Sequence, residues 1–259
     1  MSTRVAYLGP KGTYAEKAAK ALAALEKIDS PEFSPCKGLR SVVDNIANNL
    51  CEAAVVPIEN SVEGGVTTTL DSLWRNKNLF IHRALVLPIK HSLISSGSIA
   101  TISEVLSHPQ AIAQCSQWLN DNIPNAVHLP TNSTAEAIRM VRGSSFRAAI
   151  GSKDASEGMN ILAYPINDIE GNCTRFVLLS KNNTKVEGNR ASMAFSLKSN
   201  SPGALLRALN CISNLDLNMS RIESRPSKRE LGEYVFFIDL DLNNNNNKNY
   251  ENITDELSP

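Results

Sequence analysis

A hydroxyl and a guanidinium stand side by side at Thr174-Arg175, within Glu170-Gly171-Asn172-Cys173-Thr174-Arg175-Phe176. Arginine grips a carboxylate through two parallel hydrogen bonds, and a neighbouring hydroxyl can pass a proton. The same arginine could instead close a structural ion pair with Asp168 or Glu170. A second stretch, Pro57–Thr67, sets an acid, an amide and a hydroxyl (Glu59, Asn60, Ser61) ahead of Gly64, Gly65 and Thr67. Free backbone donors there suit a polar anion, and a capped loop with exposed charge fits the same residues. In a third, Ser107–Cys115, Pro109 takes the first helical position, so His108 or Ser107 caps the helix. Ser107 and Gln114 would then lie two helical turns apart on one wall. The fourth, Gly9-Pro10-Lys11-Gly12-Thr13-Tyr14, is either an ordinary strand–helix turn or a cradle for a carboxylate at a helix start.

Other chemistries lack their residues. The spacing of a phosphate loop fails at Gly9–Thr13, and no G-x-G-x-x-G follows a strand, which argues against a nucleotide. There is no G-x-S-x-G elbow, no HExxH and no histidine cluster. Neither a metal nor an organic cofactor is expected. The five cysteines are scattered without a CxxC pair, as in a reduced chain.

The elements that must position these stretches alternate. Strand Val5–Leu8 leads through the glycine turn to a helix at Tyr14–Lys27. Helix Ser41–Asn48, strand Ala53–Val56 and a helix after Gly65 follow. Next come strand Phe80–Leu87, helices Ile102–Leu106 and Pro109–Asn120, strand Ala126–Leu129, helix Thr134–Val141, and strands Arg147–Ile150 and Phe176–Ser180. Such alternation predicts an α/β layer with a mainly parallel sheet, whose ligands sit outside the carboxyl ends of strands. Lys181–Arg190 is polar and reads as a linker. Beyond it, strand Met193–Lys198, helix Pro202–Asn214 and strands Met219–Ser224 and Tyr234–Leu240 predict a small ferredoxin-like α+β domain. Asn243–Asn247 reads as a solvated loop and Tyr250–Leu257 as a helix start, so the last strand of such a domain is missing.

Composition narrows the class. Of 259 residues, 42% are hydrophobic and 20% charged, the balance of a globular chain. Lys+Arg 26 against Asp+Glu 26 gives a net charge of zero, without the basic excess that phosphate neutralisation demands of a nucleic-acid binder. No apolar run approaches a membrane span, and the N-terminus lacks the apolar core of a secretory signal, so a cytoplasmic chain is expected.

Together, GPKGTYAE at Gly9–Glu16, PIENSVEGGV at Pro57–Val66, SHPQAIAQC at Ser107–Cys115, STAEA at Ser133–Ala137 and NCTRF at Asn172–Phe176 resemble prephenate dehydratase. SPGALLRAL at Ser201–Leu209 and IESRPSK at Ile222–Lys228 resemble an ACT regulatory domain. The resemblance implies a catalytic domain over residues 1–185, two-lobed like a periplasmic-binding protein. Its chain would cross between lobes near Ile81 and return near Tyr164. An ACT domain over 190–259 would follow. The implied reaction is decarboxylating dehydration of prephenate to phenylpyruvate, with arogenate as an alternative substrate and a non-catalytic sensor of aromatic acids as a rival reading.

By the same resemblance Thr174 assists departure of the hydroxyl, while Asn60, Ser107 and Gln114 give neutral hydrogen bonds and Glu59 orients Asn60 or the loop. Arg175 would hold a substrate carboxylate, with Ser61, Gly64, Gly65, Thr67, Thr13 and Phe176 completing the binding site. Gly203, Ala204 and Leu205 with Glu223, Ser224, Arg225 and Pro226 match a phenylalanine-binding site. L-phenylalanine is thus the expected effector, and a homodimer or homotetramer the expected assembly.

Overall fold

Val5, Ala6 and Tyr7 have no solvent-accessible surface, and the segment carrying them is the first strand of a computed structural model that describes residues 2–182, 188–197 and 201–242. The chain divides into two units, Met1–Asn182 and Asn183–Pro259. The first unit runs β1 (Thr3–Leu8), α1 (Tyr14–Leu25), β2 (Pro31–Cys36), α2 (Leu39–Ala47), β3 (Ala53–Asn60), β4 (Gly64–Gly65), α3 (Thr67–Arg75) and β5 (Phe80–Pro88). It continues through β6 (His91–Ser95), β7 (Glu104–Ser107), α4 (Pro109–Ala113), α5 (Ser116–Asn122), β8 (Val127–Pro130), α6 (Thr134–Val141), β9 (Arg147–Ser152), β10 (Asn160–Ala163) and β11 (Cys173–Ser180).

These strands form two sheets, one in each lobe. The first has the order β2-β1-β3-β11-β5, with β4 paired to β3, and the second β10-β6-β9-β7-β8. In the first, β2, β1 and β3 are parallel, and β11 is antiparallel to both β3 and β5. One core packs Ala18 and Leu22 of α1 on Tyr7, Val55, Phe176 and Leu178. The second sheet is buried on both faces. Leu93, Val105 and Ile150 pack with Leu119 on one side, while Ile94, Leu106 and Ala149 pack with Ile138 on the other. Both-sided burial explains why its strands read as short apolar runs without alternation.

This is the two-lobed α/β arrangement that the resemblance implies, but the expected mainly parallel sheet is replaced by two mixed sheets. The reason is that β11 returns antiparallel between β3 and β5, and β6 lies antiparallel to both β9 and β10. Several local differences accompany this. The crossing expected near Ile81 falls at Ile89–Lys90, because Ile81 lies within β5, opposite Leu179 of β11. Helix α1 ends at Leu25, and Lys27 has a positive φ of 52°, which closes it before the expected end. Strand β3 runs through Pro57 to Asn60, and the register against β11 shifts between Arg175 and Phe176, leaving Ile58 without a ladder partner there. That irregularity accommodates a residue with no N–H to give. Ile102–Leu106 forms no helix. Glu104–Ser107 is a strand parallel to both β8 and β9, because its apolar side chains fill both faces of the sheet. Strand β11 begins at Cys173, so Thr174 and Arg175 lie inside the strand and not before it.

The second unit holds β12 (Arg190–Ser196), α7 (Ala204–Asn214), β13 (Asn218–Pro226) and β14 (Tyr234–Asp241) in the antiparallel order β12-β14-β13. Ile212 and Leu217 pack on Ile238 and Leu240. This βαββ order is the first part of the expected ferredoxin-like unit. The asparagine run at Asn243–Asn247 and the helix start at Tyr250–Leu257 lie outside the described residues. Among the described residues no helix is long and apolar enough to cross a membrane.

Candidate functional site

Antiparallel pairing of β3 with β11 sets Asn60 opposite Thr174 and Glu59 opposite Arg175. Just past β3 the chain turns, and Asn60 Oδ1 accepts hydrogen bonds from the backbone N–H groups of Val62 (2.9 Å) and Glu63 (3.0 Å). That fixes which end of the amide is which. Asn60 Nδ2 then faces Thr174 Oγ1 at 2.9 Å, Asn172 Oδ1 at 2.9 Å and the Cys173 carbonyl at 3.1 Å. Two amide hydrogens serve three acceptors, so one is shared. Thr174 Oγ1 accepts from Asn60, which leaves the hydroxyl proton for another partner. The pair is nearly sealed, with Asn60 and Thr174 each 8% exposed.

The network continues into the other lobe. Asn172 Nδ2 donates to Gln114 Oε1 at 2.9 Å, and His91 Nε2 lies 3.2 Å from the same oxygen. Gln114 Nε2 is 3.4 Å from Glu63 Oε1, back on the first lobe. Burial pushes the His91 pKa below its ordinary value, against an opposing effect of the Gln114 hydrogen bond, so the ring is neutral near pH 7. A cavity of about 140 Å³ lies beside these groups, lined among others by Val62, Glu63, Gln114, Asp168 and Asn172.

Gln114 reaches this point because the expected helix Pro109–Asn120 is broken there into α4 and α5. Asp168, on the chain returning from β10, caps α5. Its carboxylate accepts from the N–H groups of Gln117 and Trp118, both at 2.9 Å, and its own N–H donates to the Gln114 carbonyl at 2.9 Å. Two helix ends are thereby satisfied by one residue.

Other expected site residues sit differently. Ser107 is fully buried, and its hydroxyl donates to the Ile150 carbonyl at 2.7 Å, so it braces β7 against β9. Glu59 pairs with Arg175, Oε2 to Nη2 at 3.0 Å, and does not orient Asn60; the turn at Val62 and Glu63 does that. Strand alternation sends Thr174 and Arg175 to opposite faces of the sheet. Thr13 caps α1, accepting from Glu16 N–H at 3.3 Å, and its hydroxyl lies 3.1 Å from the Pro10 carbonyl. Phe176 is 3% exposed and packs beneath α1. Ser61 stitches its loop to Cys173 through two bonds of 2.9 Å. Gly64 and Gly65 pair with Asn60 and Glu59 as β4, and Thr67 opens α3, whose N-terminus has no side-chain cap.

Residues 5–184 match the family model of prephenate dehydratase. The chain belongs to the prephenate dehydratase family. It is 39% identical to prephenate dehydratase of Methanocaldococcus jannaschii over 94% of this chain and 90% of that protein. With a bifunctional chorismate mutase/prephenate dehydratase of Aquifex aeolicus it shares 37% identity over 92% of this chain, spanning only 65% of that protein's length. The crystal structure of prephenate dehydratase from Arthrobacter aurescens in complex with L-Phe superposes with a TM-score of 0.87 at 32% identity, covering 98% of this chain and 85% of that one.

Within this family member, the NCTRF and PIENS segments meet at one point, and Gln114 joins them from the second lobe. Asn172, Glu63 and His91 were not assigned a role from sequence, and Asp168 was considered only as a partner of Arg175, which pairs with Glu59 instead. Asn172 carried a signal, as an amide two residues before Thr174 at the entry to β11. His91 carried none. In the second unit, Gly203 is the N-cap of α7 with φ +78°, and Ala204 and Leu205 begin the helix. Glu223, Ser224, Arg225 and Pro226 close β13. The register places Ser196 and Arg225 on either side of Val235, so the strand leading to Gly203 and the end of β13 share one end of the sheet.

Proposed function

We propose that the chain catalyses the decarboxylating dehydration of prephenate to phenylpyruvate, and that the Asn60–Thr174 pair carries the proton transfer. The hydrogen bond from Asn60 Nδ2 to Thr174 Oγ1 at 2.9 Å is the observation behind this reading. In the reaction one C–C bond and one C–O bond break. The ring carboxylate leaves as CO2, its bonding electrons aromatise the ring, and the 4-hydroxyl leaves with an added proton as water. The ring accepts the electrons, so no electron-sink cofactor is needed. Thr174 donates its free proton to the departing hydroxyl while Asn60 steadies the charge growing on Oγ1. A positioned acid contributes on the order of 10²–10⁴-fold, and orientation and electrostatics supply the rest.

Neutral amides suit the neighbourhood of a departing carboxylate, because a fixed cation there would favour the ground state and retard loss of CO2. Arg175 gives one Nη2 contact to Glu59, so a substrate carboxylate would share its guanidinium with Glu59 or displace it. The backbone donors of Gly64 and Gly65 and the uncapped start of α3 at Thr67 are alternative anchors for a carboxylate.

The second unit is read as an ACT regulatory domain that binds L-phenylalanine between Gly203–Leu205 and Glu223–Pro226, within a cytoplasmic homodimer or homotetramer. The shared end of the sheet supports this, as does the complex of the Arthrobacter aurescens relative with L-Phe. Incubating the full chain with prephenate and, separately, with arogenate tests the reading. Phenylpyruvate should form from prephenate, at a rate that L-phenylalanine lowers. Turnover of arogenate alone would reassign the substrate, and binding of prephenate without turnover would leave a sensor.

A further inference from the structure

His91 opens β6 at the point where the chain enters the second lobe, and both its backbone and its ring are held. The residue is 3% exposed, Tyr14 meets the ring edge-on at 6.0 Å, and the His91 backbone N–H donates to Asn167 Oδ1 at 2.7 Å. Its Nε2 faces Gln114 Oε1 at 3.2 Å, whereas Nδ1 is buried without a hydrogen-bond partner among the described residues. Gln114 Oε1 already accepts from Asn172 Nδ2, so this oxygen can only be an acceptor toward the ring. The proton therefore sits on Nε2, and Nδ1 keeps a bare lone pair. A buried ring nitrogen without a partner is unfavourable, and an apolar side chain of similar size would avoid it. The imidazole thus gives up one nitrogen to place a neutral donor at Gln114 Oε1.

The consequence runs along the amides. A glutamine amide turned by half a revolution would present NH2 to Asn172 Nδ2, donor against donor. The Nε2–H tautomer opposes that state as well, so it holds Gln114 in the orientation that Asn60, fixed by Val62 and Glu63, requires. Asn60 directs Nδ2 to Thr174 and to Asn172 Oδ1, which turns Asn172 Nδ2 to Gln114 Oε1, and His91 closes this end of the chain. The same chain of amides is pinned at its far end by the N–H groups of Val62 and Glu63.

We propose that His91 is a positioning residue that, as its Nε2–H tautomer, holds Gln114 and through it Asn172, the second-lobe end of the amide chain presenting the Thr174 hydroxyl. The inference rests on the assignment of Thr174 as the proton donor, but the tautomer and the contact are independent of turnover.

Two measurements test it on the full chain. The first is a nitrogen-15 spectrum of the histidine-labelled wild-type protein, in which His91 should show a protonated Nε2 and an unprotonated Nδ1. The reverse tautomer overturns the proposal, whether or not the protein turns over prephenate. The second compares prephenate turnover of wild type, His91→Leu, His91→Gln, Gln114→Ala and the His91→Leu/Gln114→Ala double variant. Glutamine carries a donor where Nε2 stands, and leucine carries none. His91→Leu should lower kcat about tenfold with KM within about twofold, since an aligning contact acts on the reacting group more than on binding. His91→Gln should recover to within about threefold of wild type. Once Gln114 is alanine, His91→Leu should cost nothing more, the signature of a coupled pair. A folded His91→Leu with full kcat, a glutamine variant as poor as leucine, or fully additive losses would each overturn the role. If His91→Leu fails to fold, the glutamine variant and the tautomer still decide. Absence of prephenate turnover in wild type would instead count against the assigned reaction.

Discussion

An asparagine amide has two ends, and the N–H groups of Val62 and Glu63 occupy one of them at Asn60. The other end is therefore committed to Thr174 as a donor. Asn60→Asp keeps the acceptor and loses the donor, so kcat for prephenate should fall roughly 100-fold, within the range of a positioned acid–base group. Asn60→Ala loses the turn as well, and should also cost about 1–3 kcal/mol of stability, read as a lower Tm, because two backbone donors lose their partner. A fall in kcat for alanine but not for aspartate would show that Asn60 matters for shape alone. His91 contributes to the pH dependence of stability. The folded ring has a pKa lowered by burial, while the unfolded ring titrates near 6.5. Below that value the unfolded chain binds more protons, so stability is fully present above about pH 6.5 and is lost as pH falls toward the folded value. Wild type should therefore lose more Tm between about pH 7.5 and 5.5 than His91→Gln does; equal losses would remove His91 as the cause.

The break between α4 and α5 is the element on which the site turns. A single helix would bury or misdirect Gln114, and the Asp168 carboxylate prevents it by capping α5 from outside. Asp168→Ala should cost about 1–2 kcal/mol, the loss of a good cap, and should lower kcat along with Tm because Gln114 loses its fixed bend. A stable variant with unchanged kcat would show the break to be set by the helix sequence alone. Much of this architecture is legible in the chain. Val5–Leu8, Ala53–Val56, Thr134–Val141 and the βαββ order of the second unit follow from apolar runs, caps and glycine turns. The rest is not, for physical reasons. Pro31–Cys36 carries two prolines and pairs only along the edge of its sheet, where a missing N–H is tolerated. His91–Ser95 is buried on both faces, so no alternation marks it as a strand. Asp168 lies 50 residues beyond Trp118, the nearer of the two residues it caps, and Glu59–Arg175 is a contact of register between distant strands. Local pattern cannot announce either. The PIENS and NCTRF segments were legible as chemistry, but that Asn60 faces Thr174 while Arg175 faces Glu59 required the pairing of β3 with β11.

Every residue of the amide network lies in the unit Met1–Asn182, and the family match ends at residue 184. Turnover and its control should thus separate. A chain ending at residue 182 should turn over prephenate within about tenfold of the full chain and should be insensitive to L-phenylalanine. In the full chain, Gly203→Ala should weaken that sensitivity, because φ +78° costs a non-glycine residue roughly 1–2 kcal/mol, while leaving prephenate turnover intact. A truncated chain still inhibited by L-phenylalanine would place the effector site in the first unit. Lys17 and Asp154 meet at 2.7 Å between the two lobes, yet both are about half exposed, so such a pair contributes little to closure in solution. Alignment inside the cleft matters more than that clasp, and it converges on one hydroxyl. The most direct test is the rate of phenylpyruvate formation from prephenate by purified wild type, Thr174→Ser and Thr174→Ala. Thr174→Ala should fold and lose at least about 100-fold in kcat, and Thr174→Ser, which keeps the hydroxyl, should retain most of it. Wild-type turnover by a folded Thr174→Ala protein would contradict the assignment.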